Sequence, residues 1–247
     1  HCRGCSHYYL FHRWNGSVQE NADCSENIKI GVNGMENYVD VLNVTQSFHG
    51  RKVLDNVTVS FCEGKIHGVI GNNGSGKTVL FKTICGFLTP QKGEVYVRGQ
   101  RVGKDFDFPP DIGALIESPG FLSNEDAYHT LAHLWSMRGK PDYVQIEKTL
   151  HMVGLSDVGK KKVGNFSLGM RQRLGIAQAI MCNPSLLILD EPFNGLDKQG
   201  VQEIHNVLLD MNKNGCTIIL TSHNEQDIAS LCATVHEMDG GKISSVR

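Results

Sequence analysis

The sequence feature that most constrains this chain is a glycine-rich octapeptide between an apolar segment and a helix-like segment. It consists of Gly71, Asn72, Asn73, Gly74, Ser75, Gly76, Lys77 and Thr78, which fit the pattern G-x-x-x-x-G-K-[ST]. A strand is predicted over residues 65–70 and a helix over 78–86, which is the context that this motif requires. The octapeptide therefore predicts a phosphate-binding loop in an α/β protein.

The residue types in the loop suit a nucleoside triphosphate. Glycines at 71, 74 and 76 can take positive φ and leave room for backbone amides to converge on phosphate. The N-terminus of the following helix adds partial positive charge. Lys77 supplies a full charge to the β- and γ-phosphates, and the Thr78 hydroxyl is a ligand for Mg²⁺.

A second motif consists of two carboxylates directly after a buried aliphatic run. Residues 186–189 are all Leu or Ile, and Asp190 and Glu191 follow them. Ligands of open α/β sheets bind at the carboxyl ends of the strands, where Asp190 can hold Mg²⁺. Because side chains alternate along a strand, Glu191 is predicted to point to the other side and to serve as a general base for water.

A third motif is a predicted N-cap. Ser167 can cap a long helix that runs to Ile180, and its hydroxyl and the first helix amides would form a second anion site. An ordinary capped helix explains the same residues, and the motif alone leaves both interpretations open.

The rest of the chain is predicted to be one domain over 36–247, preceded by an irregular leader over 1–35. Alternating apolar residues around 39–61 and at 95 and 97 predict an N-terminal antiparallel β subdomain, with turns at Asp55-Asn56 and Glu63-Gly64. Continuous aliphatic runs at 66–70, 186–189 and 217–220 predict a mainly parallel sheet. Helical stripes predict an inserted helical subdomain over about 121–165, opened by a capping box at Ser123 and Asp126.

Composition excludes several classes of protein. The 24 Lys+Arg against 26 Asp+Glu argue against a dedicated nucleic-acid binder, and no apolar run approaches the roughly 20 residues that cross a bilayer. Scattered cysteines in apolar stretches are typical of reduced cytosolic thiols. Near the N-terminus, Cys2, Cys5 and Cys24 stand among three histidines, which is compatible with an irregular leader or with a metal site whose second half is missing.

From about Tyr38 to its end, the sequence resembles an ABC-transporter ATP-binding subunit. The motifs occur in the order found in that family. Positions that match its other motifs are Ser167 and Gly169 in the signature motif, Asp197 in the D-loop, His223 as the switch histidine, Phe48 as the aromatic that stacks on adenine, and Glu117 at the Q-loop position.

The resemblance implies a P-loop NTPase core and an ATPase that couples hydrolysis to transport. ATP and Mg²⁺ would be bound by the octapeptide, Asp190 and Glu117, while Glu191 and His223 would act in catalysis. In the family two subunits pair head to tail, and the signature helix of one closes over ATP on the other. The implied partners are therefore a second copy or homologous ATPase subunit and a membrane-spanning permease, but no nucleic acid. The implied location is cytoplasmic, peripheral on the inner face of the membrane.

Three departures from the family pattern refine this prediction. Leu168 and Met170 replace a signature glycine and glutamine, and Glu117 replaces the Q-loop glutamine. The sequences around these positions are similar to those of bacitracin and lantibiotic self-protection exporters. This resemblance predicts export of an antibiotic peptide or drug-like compound. A soluble non-transport ABC ATPase, such as the iron–sulphur assembly type, and a binding module without activity are the alternatives. The intact Lys77, Asp190, Glu191 and His223 argue against the inactive module.

Overall fold

The computed structural model of this chain describes residues 37–117 and 120–247. Its helices are α1 Lys77–Ile84, α2 Ala127–Ser136, α3 Tyr143–Met152, α4 Leu168–Ile180, α5 Lys198–Lys213 and α6 Glu225–Leu231. Its strands are β1 Asn37–Phe48, β2 Arg51–Cys62, β3 Ile66–Ile70, β4 Lys92–Val97, β5 Gln100–Arg101, β6 Ile112–Leu115, β7 Leu186–Leu189, β8 Thr217–Leu220, β9 Thr234–Asp239 and β10 Lys242–Ser245. The predicted leader, with its cysteines and histidines, lies outside these residues.

The first strands form the predicted antiparallel sheet, in the order β2-β1-β4-β5. Val39, Val41 and Phe61 are fully buried on its inner face, as their alternation predicts. The predicted turn at Asp55-Asn56 is wrong, because β2 runs through both residues. Asn56 takes a φ of +54° beside a register shift between β1 and β2, which makes this point a β-bulge.

The second sheet has the order β10-β9-β3-β8-β7-β6 and confirms the α/β prediction. Its strands pair in parallel except β10, which is antiparallel to β9. Both faces are buried: Leu187 and Leu189 pack into one core cluster and Leu186 and Ile188 into the other. Each such side chain contributes roughly 1.5–3 kcal/mol by leaving water, which explains the continuous aliphatic runs. Cys85, Cys216 and Cys232 are free and buried, as small apolar residues would be.

The described residues between β6 and α4 include α2, α3 and two 3-10 turns, at Ser156–Val158 and Val163–Asn165. The predicted capping box is wrong in its first residue. Asp126, not Ser123, caps α2, because the Asp126 carboxylate directly precedes the helix and accepts from the His129 N–H at 2.9 Å. The division of the chain into a leader, a main domain and a helical subdomain stays a prediction.

The strand order places four loops side by side. Because β3, β8, β7 and β6 are neighbours and parallel, their carboxyl ends meet at the same edge of the sheet. The loops that leave this edge begin at Gly71, Thr221, Asp190 and Ile116. Thr78 and Asp190, which are 112 positions apart in sequence, are thereby brought into contact at this edge.

Candidate active site

The glycine-rich loop has the geometry of an anion cradle. Gly71, Gly74 and Gly76 have φ of +140°, +78° and +113°, which disfavour residues with a side chain. A Cβ at Gly71 would lie 2.1 Å from the Met238 carbonyl oxygen, and one at Gly76 would lie 2.7 Å from that of Val53. The loop is therefore fixed between β9 and β2, and only glycine fits at these two positions.

Lys77 is the first residue of α1 and is buried, although it is a lysine. Its ammonium donates to the carbonyl oxygens of Gly71 at 2.7 Å and Asn72 at 3.1 Å, and it therefore lies across the loop. The Ser75 hydroxyl is also buried and has no hydrogen-bond partner. Asn72, Asn73 and Gly74 are exposed at the outer rim. An orphaned buried donor beside a buried cation indicates a site that is built for an anion.

Asp190 is held by two hydroxyls, one from the first turn of α1 and one from the loop after β8. The Thr78 hydroxyl donates to Asp190 Oδ2 at 2.6 Å, and the Thr221 hydroxyl donates to Asp190 Oδ1 at 2.9 Å. A hydroxyl and a carboxylate are oxygen donors of the kind that Mg²⁺ prefers. The third residue predicted for the metal, Glu117, is instead paired with Lys82 of α1, with 2.6 Å between Nζ and Oε1.

Glu191 and His223 form a close pair at the same edge. His223 Nε2 lies 3.1 Å from Glu191 Oε1, although the two atoms are not aligned as a hydrogen bond. Burial raises the pKa of Glu191 above its ordinary value, and the nearby Asp190 acts in the same direction, while His223 and Lys77 act against it. A carboxylate with a raised pKa beside an imidazole is suited to proton transfer.

The predicted orientation of Glu191 is wrong in its physical basis. Strand β7 ends at Leu189, and Glu191 has a φ of +52°. The alternation of side chains along a strand therefore does not apply, and the turn directs Glu191 towards His223. The Glu191 N–H is fixed by the Thr221 hydroxyl at 2.7 Å.

Three residues of this region were missed by sequence reasoning. Thr221 bridges Asp190 and the backbone of Glu191, Gln172 of α4 donates to the Glu191 carbonyl oxygen at 3.0 Å, and Lys82 holds Glu117. Thr221 carries a signal, because it is a polar residue directly after a buried strand at the edge where ligands bind. Gln172 and Lys82 are ordinary polar helix residues, and nothing in the sequence distinguishes them.

The signature residues lie at the N-terminus of α4. Ser167 caps this helix and accepts from the Met170 N–H at 3.2 Å, as predicted. A Cβ at Gly169 would lie 2.7 Å from the Gly195 carbonyl oxygen, which packs this turn against the loop before α5. Asp197 caps α5 and accepts from the Gly200 N–H at 2.8 Å. The close approach of Gly169 to Gly195 thus joins the predicted signature turn to the loop that ends at Asp197 within one chain.

Phe48 is the last residue of β1 and is 41% exposed. His49 and Gly50, both with positive φ, turn the chain into β2, whose Val53 packs against Gly76. The exposed ring is therefore carried on the hairpin that also packs on the phosphate loop.

Comparison with known proteins identifies the family of this chain. Residues 54–194 match the sequence profile described as "ABC transporter". The chain belongs to the ABC transporter family. An uncharacterized ABC transporter ATP-binding protein of Bacillus subtilis is 41% identical over 84% of this chain and 95% of its own length.

Two further relatives carry functional names. The bacitracin transport ATP-binding protein BcrA of Enterococcus faecalis is 38% identical over 82% of this chain and 68% of its own length. The lantibiotic transport ATP-binding protein SrtF of Streptococcus pyogenes is 35% identical over 82% of this chain and 87% of its own length. The chain is thus an ABC ATP-binding subunit of transporters, and these names support that prediction over the soluble non-transport alternative.

Solved ABC cassettes share the fold. A nucleotide-free cassette from an ABC transporter superposes with a TM-score of 0.75 over 85% of this chain and 91% of its own, at 24% identity. A dimeric cassette in a post-hydrolysis state, bound to ADP and Pi, has a TM-score of 0.76 over 85% of this chain and 99% of its own, at 22% identity. Among the helices that the structure describes in this ABC cassette, none is both long and apolar enough to span a membrane.

Proposed function

We propose that this cassette binds ATP with Mg²⁺ between two ATPase subunits and hydrolyses it to drive a separate permease that exports an antibiotic peptide. The observation that carries the proposal is the Glu191–His223 pair beside Asp190 and Thr78, at the sheet edge where the phosphate loop opens. A binding module needs the loop alone. A general base with a partner imidazole is needed only for hydrolysis.

The phosphates are bound by the loop and the start of α1. The Lys77 ammonium, now on the carbonyl oxygens of Gly71 and Asn72, exchanges these partners for β- and γ-phosphate oxygens. The orphaned Ser75 hydroxyl gains a partner in the same step. These donors are fixed in place before the reaction, and they stabilise the charge that develops on the transferring phosphoryl group.

Thr78 and Asp190 would hold Mg²⁺, because their oxygens already converge at 2.6 Å. When bound, this ion neutralises charge on the phosphate oxygens during transfer. Glu117 would become a further ligand only if it broke its ion pair with Lys82.

Glu191 orients the attacking water and accepts its proton. Thr221 and Gln172 fix the Glu191 backbone from both sides, which restricts the position of the carboxylate. His223, half-exposed at 3.1 Å from Glu191, contacts the γ-phosphate and keeps the carboxylate aimed at the water. The nearby His223 also lowers the pKa of Glu191, against the effect of burial, which raises it. His223 thereby favours the ionised form of Glu191, which a base requires.

A second ATPase subunit completes the site. The N-terminus of α4, with Ser167 and Gly169, is an exposed anion-binding end, and Leu168 between them is 67% exposed. In the head-to-tail pair it closes over ATP on the partner subunit, with Asp197 of the adjoining loop at the same interface. Phe48 stacks on the adenine.

The cargo assignment follows the relatives. Two of them are named for bacitracin and lantibiotic transport, and they match more than four fifths of this chain. We therefore assign an antibiotic peptide as cargo, a permease as the membrane-spanning partner and the inner face of the membrane as the location. The Glu117 loop would transmit closure of the dimer to the permease.

Glu191→Gln tests the hydrolytic proposal. The variant keeps the shape of the side chain and removes the base, and we expect ATP binding within about twofold of the unchanged protein and turnover lower by roughly 10²–10⁴-fold. Size-exclusion chromatography with Mg²⁺ and ATP should show the variant accumulating as a dimer. Glu147→Gln, on the exposed face of α3, is the matched control and should behave as the unchanged protein. Full turnover by Glu191→Gln, or a monomer under all conditions, contradicts the proposal.

A further inference from the structure

A buried polar cluster adjoins the predicted switch histidine, His223, through the residue that precedes it in the chain. It consists of Ser222, Asp227 and His205, all less than 10% exposed. The Ser222 hydroxyl donates to Asp227 Oδ2 at 3.1 Å, and Asp227 Oδ1 lies 3.3 Å from His205 Nε2. Ser222 immediately precedes His223 in sequence, and Asp227 is in the first turn of α6.

The loop that carries His223 is held through this cluster. The Ser222 hydroxyl also accepts from the Asn224 N–H at 3.1 Å, so both residues that flank His223 are tied to the same oxygen. The Asp227 carboxylate accepts from the same hydroxyl and holds it in place. Since His223 itself is half-exposed, the position of its ring depends on these backbone anchors.

His205 connects the cluster to another part of the catalytic machinery. It lies on α5, the helix that Asp197 caps. Its ring packs edge-on against Phe193, with 4.8 Å between the centroids, and Phe193 is two residues beyond Glu191. His205 therefore touches both the segment after the base and the anchor of the switch loop.

The protonation of His205 fits a donor to Asp227. Burial lowers the pKa of His205, although Asp227 acts in the opposite direction. The imidazole is thus neutral at neutral pH and can present one N–H. Its Nε2 is buried without an aligned hydrogen bond, at a distance from Asp227 that a small rotation closes. A buried carboxylate needs such partners, because leaving it unpaired is costly.

We propose that His205 and Asp227 are positioning residues that hold the loop carrying His223 in register with Glu191, through Ser222 on one side and Phe193 on the other. This inference rests on the proposed function, because it assumes that Glu191 and His223 serve hydrolysis. A purely structural role for the same residues would affect stability alone.

The test compares three variants of the full chain. His205→Leu removes the ring N–H and keeps an apolar contact for Phe193. His205→Gln restores an N–H donor at similar reach. We expect His205→Leu to lower kcat about tenfold, with KM for ATP and equilibrium ATP binding within twofold, and His205→Gln to recover most of the loss. Asp227→Asn, which keeps the size of the side chain, is the third variant. It should also lower kcat about tenfold, and it tests the cluster even if His205→Leu does not fold.

A double-mutant comparison distinguishes positioning from stability. In single-turnover reactions with enzyme in excess, adding His205→Leu to His223→Ala should change the residual rate less than twofold, because the residue acts through His223. Unchanged kcat in His205→Leu or Asp227→Asn, no recovery by His205→Gln, or losses that add to His223→Ala overturn the inference. If the unchanged protein shows no hydrolysis that depends on Glu191, the proposed function fails and this inference with it. If Glu191→Gln is inactive and His205→Leu fully active, only this inference fails.

Discussion

The two helix N-termini that we propose as anion sites, those of α1 and α4, differ in how many charged and polar groups surround them. At α1 the cradle is complete, with a buried lysine, an orphaned serine hydroxyl and the Thr78–Asp190 contact. At α4 the same helix geometry has a serine cap and an exposed leucine, and Ser167 and Gly169 contact Met170 and Gly195. A helix N-terminus alone attracts an anion by only about 0.3–1 kcal/mol. At α1 the buried Lys77 ammonium adds a full positive charge to this weak attraction.

We propose that the two ends contribute to different halves of one site, which two subunits share. The α1 end contains the groups that neutralise several negative charges, whereas the α4 end offers amides and a hydroxyl without a cation. We expect an end of the second kind to add hydrogen bonds to a phosphate that the first end already binds. The comparison therefore predicts that damage at α1 abolishes binding, while damage at α4 affects assembly and turnover.

Lys77→Ala should have the largest effect. Removing a charged donor from a phosphate is expected to weaken ATP binding on the order of 100-fold, at roughly 1.5–3 kcal/mol for a hydrogen bond to a charged group. Equilibrium titration with a fluorescent ATP analogue measures the change. Lys213→Ala, at an exposed ion pair on α5, should bind as the unchanged protein does. Equal binding by the Lys77 variant would remove the asymmetry between the two helix ends.

Ser167→Ala should have an intermediate effect that separates the two ends. Loss of the cap costs about 1 kcal/mol of stability, while ATP binding to the monomer stays within twofold. ATP-dependent dimerisation and turnover should each fall about tenfold. Asp142→Ala removes the cap of α3, whose carboxylate accepts from the Gln145 N–H at 3.0 Å, and serves as a control of similar stability cost. If both variants lose dimerisation equally, α4 has no special role in it.

The smallest effect concerns the pH dependence of stability at the α1 side. Because burial raises the pKa of Glu191, the folded state takes up a proton at higher pH than the unfolded chain does. Stability is therefore lost as pH rises from the ordinary glutamate pKa through the raised one. Glu191→Gln should therefore melt at a higher temperature than the unchanged protein at pH 7, and the difference between the two melting temperatures should vanish below the ordinary glutamate pKa. Thermal melts across that range check it, and a gap that widens in acid would show the opposite sign.

The fold was predictable where local pattern and burial coincide. Strands β3, β7 and β8 could be predicted because both of their faces are buried, which produces continuous aliphatic runs. Strands β6 and β9 were missed. In β6, Gly113 interrupts the apolar pattern, and its reason is tertiary: a Cβ there would lie 2.0 Å from the Ala179 carbonyl oxygen of α4.

The candidate site was predictable to the extent that its chemistry is contiguous. The octapeptide, Asp190 and Glu191 could be recognised because one phosphate needs several donors in succession and the metal needs an acid at a strand end. The roles of Thr221 and Gln172 could not, since they arise from contacts with Glu191 across 30 and 19 residues of the chain. For the same reason, Lys82 as the partner of Glu117 could not be predicted.

By itself, the sequence determined that this chain has a phosphate loop, a strand that ends in two carboxylates and a capped signature helix, because each depends on neighbouring residues and on backbone preferences that act locally. Only the tertiary structure decided which way Glu191 faces, what Glu117 is paired with and how His223 is anchored. Those outcomes depend on where β7 ends, on the positive φ of Glu191 and on which parallel strands are neighbours. All three are set by the packing of the whole sheet.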